Sequence, residues 1–186
     1  GTPVDCVKTA MEFILKKDRP DLIISGINNG YNLGSDVLYS GTVSAAMEGP
    51  YYLTPAVAVS IVKMNEVRAR QTAKLVMQLI ERVIFTGKFP GILNINVPEK
   101  KGDICLENVV VAPQTVQFYK NVIVEKKDEN GDSYIRIVGD IDMSTAPTFS
   151  DIANIKAGKI TVTPLRWQQT ATAAMETVDR LIFHKY

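Results

Sequence analysis

Residues 21–48, DLIISGINNGYNLGSDVLYSGTVSAAME, decide the reading of this chain. A short apolar strand at 21–25, centred on Leu22 to Ile24, runs into a loop rich in glycine and asparagine. The loop feeds a small-residue helix over about 42–49 that opens at Ser40-Gly41-Thr42. In an open α/β sheet, ligands sit in the crevice beyond the carboxyl ends of the strands. A helix start offers unpaired N–H groups and the positive end of a dipole, which suit phosphate. The segment therefore reads as a phosphate and cation site built on backbone and neutral amides.

Outward from this stretch, the pattern alternates. Thr2-Pro3 opens a helix with Val7, Ala10, Met11, Ile14 and Leu15 at helical spacing, closed before Pro20. Gly49-Pro50 is expected to stop the small-residue helix. Pro55 to Ile61 is a continuous β-branched run, as in a strand buried on both faces. Asn65 caps a long helix to about Phe85, with Val67, Leu75, Val76, Leu79, Ile80, Val83 and Ile84 as its stripe and Gly87 as its stop. Ile92 to Val97 is the next strand. The order α-β-α-β-α-β predicts a parallel sheet flanked by helices.

Beyond residue 108 the character changes. Val109 to Ala112 reads as a further core strand. Asn121 to Glu125 and Ser133 to Val138 alternate around Asn130-Gly131, a hairpin signal and a projecting arm. Residues 139–158 read as loop, Ile160 to Thr163 as a last strand, and 168–183 as a helix with Ala171, Ala174, Met175, Val178, Leu181 and Ile182 on one side.

Composition narrows the function classes. The chain has 186 residues, 46% hydrophobic and 22% charged, with net charge +1, so no basic field points to a nucleic-acid polymer. Cys6 and Cys105 form no metal-type spacing and read as reduced thiols of a cytoplasmic protein. No apolar run is long enough for a membrane span, and no signal peptide is visible. His184, the single histidine, lies at a frayed helix end, which removes Ser–His–Asp and Cys–His mechanisms and histidine-rich zinc sites from this chain. Neither a P-loop nor a GxGxxG turn is present. What remains is the loop: Asn28, Asn29 and Asn32 carry amide oxygens for a hard cation or phosphate, and Ser40 and Thr42 carry hydroxyls at a helix start. The same residue types serve ordinary turns and N-caps. Glu48 stands near the negative end of its helix, which calls for a cationic partner such as a salt bridge.

Ser25-Gly26-Ile27-Asn28, Asn32-Leu33-Gly34, Tyr39-Ser40-Gly41-Thr42-Val43 and Ala45-Ala46-Met47-Glu48-Gly49 together closely resemble the SurE survival-protein family. So do Gly1 to Val7 (GTPVDCV), Leu93 to Pro98 (LNINVP), Ser150-Asp151 and Ile160 to Leu165. The resemblance implies a Rossmann-like, mostly parallel α/β domain and metal-dependent hydrolysis of nucleoside 5′-monophosphates. It also implies manganese or magnesium as cofactor, and homodimers or homotetramers. On it, Asn28 is a metal ligand, Asn32 lies at the phosphate end of the pocket, and Ser40, Gly41 and Thr42 face the phosphate. Residues 1–112 with 149–165 would be the core, 113–148 an assembly arm and 166–186 a C-terminal assembly helix. The family's Asn-Asp-Asp-Gly turn is not among these residues, so no catalytic residue is expected on this chain. The missing strand before it would leave an open sheet edge. The aspartates would come from a separate piece or another polypeptide. Otherwise the chain is a truncated, inactive nucleotide-binding or oligomerisation module.

Overall fold

The structure, a computed structural model, describes residues 1–86, 91–99, 103–116, 118–142 and 146–183. His184 and Gly87 lie outside them, so the readings made for these two residues do too. The strands are β1 (Ile23–Asn29), β2 (Ala56–Ile61), β3 (Ile92–Val97), β4 (Val109–Val111), β5 (Phe118–Lys127), β6 (Ser133–Asp142) and β7 (Ile160–Leu165). The helices are α1 (Pro3–Thr9), α2 (Gly41–Tyr51), α3 (Glu66–Leu79), α4 (Asp151–Lys156) and α5 (Thr172–Phe183). Five strands form one sheet in the order β1-β2-β3-β7-β4, and β5 and β6 form a separate hairpin.

The sheet is parallel only in part. β1, β2 and β3 run together, β7 is antiparallel to β3, and β4 is parallel to β7. Strand direction depends on the connection, which the hydrophobic pattern does not encode. β2 and β3 are buried at every position, as the β-branched run of β2 predicts and as β3 achieves with Asn94 and Asn96 inside it. Val57, Val59, Ile61, Leu93, Ile95 and Val97 pack under α3, whereas Ala56, Ala58 and Ile92 face Val43, Ala46 and Met47 of α2. α1 packs on α2 and α4 on β7, giving helices on both faces. β4 is an edge strand with Val111 71% exposed, a correction to its reading as a core strand.

Other boundaries moved for local reasons. β1 extends to Asn29, past the expected end at 25, because Asn28 and Asn29 pair with Ser60 and Ile61 across an irregularity at 26–27. Gly26 makes that irregularity possible: its φ is +127°, and a Cβ there would stand 2.4 Å from the Val59 carbonyl oxygen. Pro50 does not stop α2, which continues to Tyr51. The N–H that Pro50 lacks would have served the Ala46 carbonyl, and the helix closes one residue later, so only that one bond is forgone. α4, expected as loop, is a six-residue helix capped by Ser150 and anchored by Ile152 and Ile155. It is too short for periodicity to show. A π turn at Ala10–Ile14 after α1 inserts one extra residue, which rotates Ile14 out to 69% exposure.

The hairpin turn spans residues 128–132, where the Asp128 carboxylate accepts from the N–H groups of Asn130 and Asp132, both at 2.9 Å. α5 buries none of its residues.

Gly49 sits where α2 crosses β2: an added Cβ would lie 2.6 Å from both Ala56 Cβ and the Thr54 carbonyl oxygen. Alanine normally improves a helix over glycine by about 1 kcal/mol. Here Gly49→Ala is expected to lower stability by about 1–3 kcal/mol in urea denaturation. A stabilised variant would show that α2 does not approach the sheet this closely.

Candidate functional site

α2 lies between the parallel strands β1 and β2, so it must run back against them, with its N-terminus at their carboxyl ends. That puts Ser40, Gly41 and Thr42 at the same end of the sheet as Asn28. Ser40 is the N-cap, its Oγ accepting from Val43 N–H at 3.0 Å, so its own O–H remains a donor. The Ser40 carbonyl takes the Ser44 N–H at 2.9 Å. The N–H groups of Gly41 and Thr42 donate to nothing among the described residues. α2 thus begins with two free donors at the positive end of its dipole, the arrangement that holds a phosphate. Pro3 of α1 supports this turn: a Cβ on Gly41 would lie 3.0 Å from Pro3 Cγ.

Asn28 and Asn29 divide. Asn28 is half-buried and donates Nδ2 to the Gly30 carbonyl at 2.9 Å, which leaves Oδ1 as an outward acceptor suited to a hard cation. Asn29 points the other way, as strand alternation requires, and its Oδ1 accepts from Met64 N–H at 3.3 Å. Asn29 is therefore not part of the site.

Asn32 is 6% exposed and serves as the hub of a buried amide lattice. Its N–H donates to Asn96 Oδ1 at 2.9 Å and its Nδ2 to Ser60 Oγ at 2.6 Å. Its carbonyl accepts from Asn94 Nδ2 at 2.8 Å and Asn96 Nδ2 at 3.0 Å. The Oδ1 of Asn32 and the second N–H of its Nδ2 are left for a ligand. Asn28, Ser60 and Asn96 are register neighbours across β1, β2 and β3, so the lattice continues the row that carries Asn28. Sequence reasoning missed Ser60, Asn94 and Asn96. The signal was one polar residue in the otherwise apolar β2 and two, spaced two apart, in β3.

Asp151 completes the loop's support. Its Oδ2 accepts from Gly34 N–H and its Oδ1 from Ile152 N–H, each at 2.8 Å, while Gln114 Nε2 donates to the Gly34 carbonyl at 2.8 Å. Burial holds the Asp151 carboxyl above its ordinary 3.8, outweighing these donors, which pull the other way.

Among the described residues no three His, Cys, Asp or Glu side chains gather to hold a metal. A hard dication takes about six oxygens, several anionic, and Asn28 offers one neutral oxygen. These residues alone therefore do not fit a divalent cation. Both cysteines are free thiols, and no described helix is long and apolar enough to cross a membrane.

Fold and site together define an α/β protein with an anion-ready helix start at the carboxyl edge of a mixed sheet. Residues 1–121 match the family described as Survival protein SurE. The 5′-nucleotidase SurE of Heliobacterium modesticaldum is 38% identical over 180 residues, 96% of this chain and 65% of that protein. The 5′-nucleotidase SurE of Petrotoga mobilis is 39% identical over 167 residues, 89% of this chain and 66% of that protein. The crystal structure of SurE protein from Aquifex aeolicus superposes with a TM-score of 0.77 at 32% identity, covering 98% of this chain and 73% of that one. The chain belongs to the SurE family, and it spans about two thirds of the length of these curated relatives.

Because the folded Asp151 binds its proton more tightly than the unfolded one, the native state carries the extra proton between the two values. Its contribution to stability is then full below 3.8 and falls as pH rises through the folded value. The stability of the native chain relative to Asp151→Asn should therefore decline from pH 3 toward neutrality in urea titrations. A relative stability that grows with pH would contradict the assignment.

Proposed function

We propose that this chain carries the phosphate-binding part of a phosphomonoesterase that hydrolyses nucleoside 5′-monophosphates to nucleoside and phosphate. The observation that carries the reading is the pair of free N–H groups at Gly41 and Thr42, set at the strand ends in a chain whose relatives are named 5′-nucleotidases. In this reading the Gly41 and Thr42 N–H groups and the Ser40 and Thr42 hydroxyls hold the phosphoryl oxygens. They also offset the charge that builds on those oxygens as the ester bond breaks. Asn32, locked to the sheet, fixes the height of the loop above that phosphate. Asn28 Oδ1 contributes one oxygen to a divalent cation, manganese or magnesium. The cation's remaining ligands would have to come from groups other than the described residues.

A second reading, a nucleotide-binding module without turnover, is favoured by one observation: no acidic or histidine cluster stands among the described residues. Assembly into a homodimer or homotetramer is part of the proposal as well. It is supported by α5, which exposes Met175, Val178, Leu181 and Ile182 along one stripe and buries none of them.

The test is phosphate release from nucleoside 5′-monophosphates with manganese, with magnesium and with EDTA, alongside calorimetry of nucleotide binding in EDTA. Metal-dependent release that Asn28→Ala lowers at least about tenfold supports the phosphatase. Binding in EDTA with no release under any metal supports the module. Neither binding nor release overturns both. For assembly, Leu181→Glu is expected to lower the mass seen by light scattering; an unchanged mass removes α5 from the interface.

A further inference from the structure

A cavity of about 390 Å³ opens at the other end of α2, lined by Lys8, Glu12, Glu48, Tyr51, Tyr52 and Trp167. Its size falls in the small-molecule range of about 300–1,000 Å³. Eight residues separate Ser40 from Glu48, about 12 Å along the helix axis, so this cavity is distinct from the phosphate candidate.

Its electrostatics are opposite to those of the helix start. Glu48 is 6% exposed and lies in the last turns of α2, where the carbonyl ends already make the potential negative. Pro50 adds to this, since without an N–H it leaves the Ala46 carbonyl with no donor from the next turn. Glu12 brings a second carboxylate to the wall. Against these stands Lys8 alone among the lining residues. Its Nζ is 4.0 Å from Glu48 Oε2, beyond hydrogen-bond length, and its side chain is 55% exposed. The Glu48 carbonyl takes the Tyr52 N–H at 3.4 Å, and its carboxylate has Lys8 as its ion-pair partner. Among the lining residues two carboxylates thus face one ammonium, and Glu48 is held only by a long ion pair to Lys8.

The remaining walls are aromatic. Tyr51 and Tyr52 meet edge to face with centroids 5.0 Å apart. Trp167 is held by its indole N–H, which donates to the Met47 carbonyl at 2.6 Å. The Arg19 guanidinium already lies 5.5 Å from the Tyr52 ring centroid. Burial first, and then the Glu12 carboxylate beside it, hold the Tyr52 phenol above its ordinary value, which also marks the region as unfavourable for further negative charge.

We propose that this cavity binds a small organic cation, an alkylammonium or quaternary ammonium group, between the three aromatic rings and over the Glu48 carboxylate. Aromatic faces attract a diffuse cation and gain most when it is desolvated. A hard metal ion would find two carboxylates and no other oxygen shell. An anion would meet Glu12 and Glu48, and a neutral apolar ligand would bury Glu48 without compensation.

Trp167 is the only tryptophan of the chain, so its fluorescence reports on this cavity. The probe is tetramethylammonium chloride, titrated against sodium chloride at matched ionic strength. A saturable change with the organic cation and none with sodium is expected. Glu48→Gln should weaken binding roughly tenfold or more, because it removes the buried charge and keeps the shape. Lys8→Gln should strengthen it roughly fivefold, because the internal competitor is gone. Should Glu48→Gln fail to fold, Tyr51→Leu at a largely exposed ring serves in its place and should abolish saturation. An identical response to both salts, binding unchanged in Glu48→Gln or Tyr51→Leu, or weaker binding in Lys8→Gln would each overturn the proposal. Nucleotide binding in EDTA should be the same in all three variants, which separates this site from the phosphate site.

Discussion

The candidate site depends on how Asn32 is held. The loop between β1 and α2 has little regular structure of its own before the short 3₁₀ segment Gly34–Tyr39. What fixes it is the peptide and side chain of Asn32, bonded through N–H, C=O and Nδ2 to Ser60, Asn94 and Asn96. All three partners are fully buried. Leaving one buried donor or acceptor unsatisfied costs about 1–3 kcal/mol, so an apolar residue at 94 or 96 would release the loop as well as alter the strand. Two residues later, Gly34 is gripped from both sides, by Asp151 at its N–H and Gln114 at its carbonyl. Side chains from β2, β3 and α4, and from the segment after β4, therefore set the position of a loop that contributes almost nothing to its own order.

This arrangement explains which features could be read from the sequence. β2 was legible because a strand buried on both faces is written as a nearly continuous apolar run, and α3 because Asn65 and the 3.6-residue stripe agree. Ser40 to Thr42 was legible as a capped helix start, and the chain's resemblance to a family marked the same residues. Asn94 and Asn96 were hidden. A sequence pattern shows that a polar residue interrupts a strand, but not which backbone group 62 or 64 residues away needs it. Asp151 was hidden for the same reason, since its partner Gly34 is 117 residues distant. β1 was read short because Gly26, Asn28 and Asn29 have poor strand propensity, which pairing with β2 overrides.

The outlying parts follow a different logic. α5 has twelve residues and none buried, a length at which an isolated helix is marginal in water. Its apolar stripe was easy to read, and the same stripe is what requires cover. The open side of β1 is similar, with Ile24 of the strand 48% exposed and Phe13 and Ile14 of the neighbouring segment 82% and 69% exposed. Core strands close their own hydrogen bonds and apolar contacts, whereas these elements leave apolar side chains exposed.

α2 joins the two ends of the molecule's electrostatics. Its residues are small because the helix lies directly on β2: Ala45, Ala46 and Gly49 are buried, and Gly49 tolerates no Cβ. Close packing of that kind removes water from the helix and leaves its dipole poorly screened. The positive end emerges at Gly41 and Thr42 with two free N–H groups, and the negative end emerges beside Glu48, where Pro50 has no N–H to give. An anion at one end and a cation at the other are the charges such a helix stabilises. Glu48 opposes that preference, adding negative charge where the helix is already negative. Lys8 answers it with a long ion pair at 4.0 Å, which leaves room for a further positive charge beside it. The aromatic rings around it determine that the charge should be soft and organic and not a hydrated metal ion.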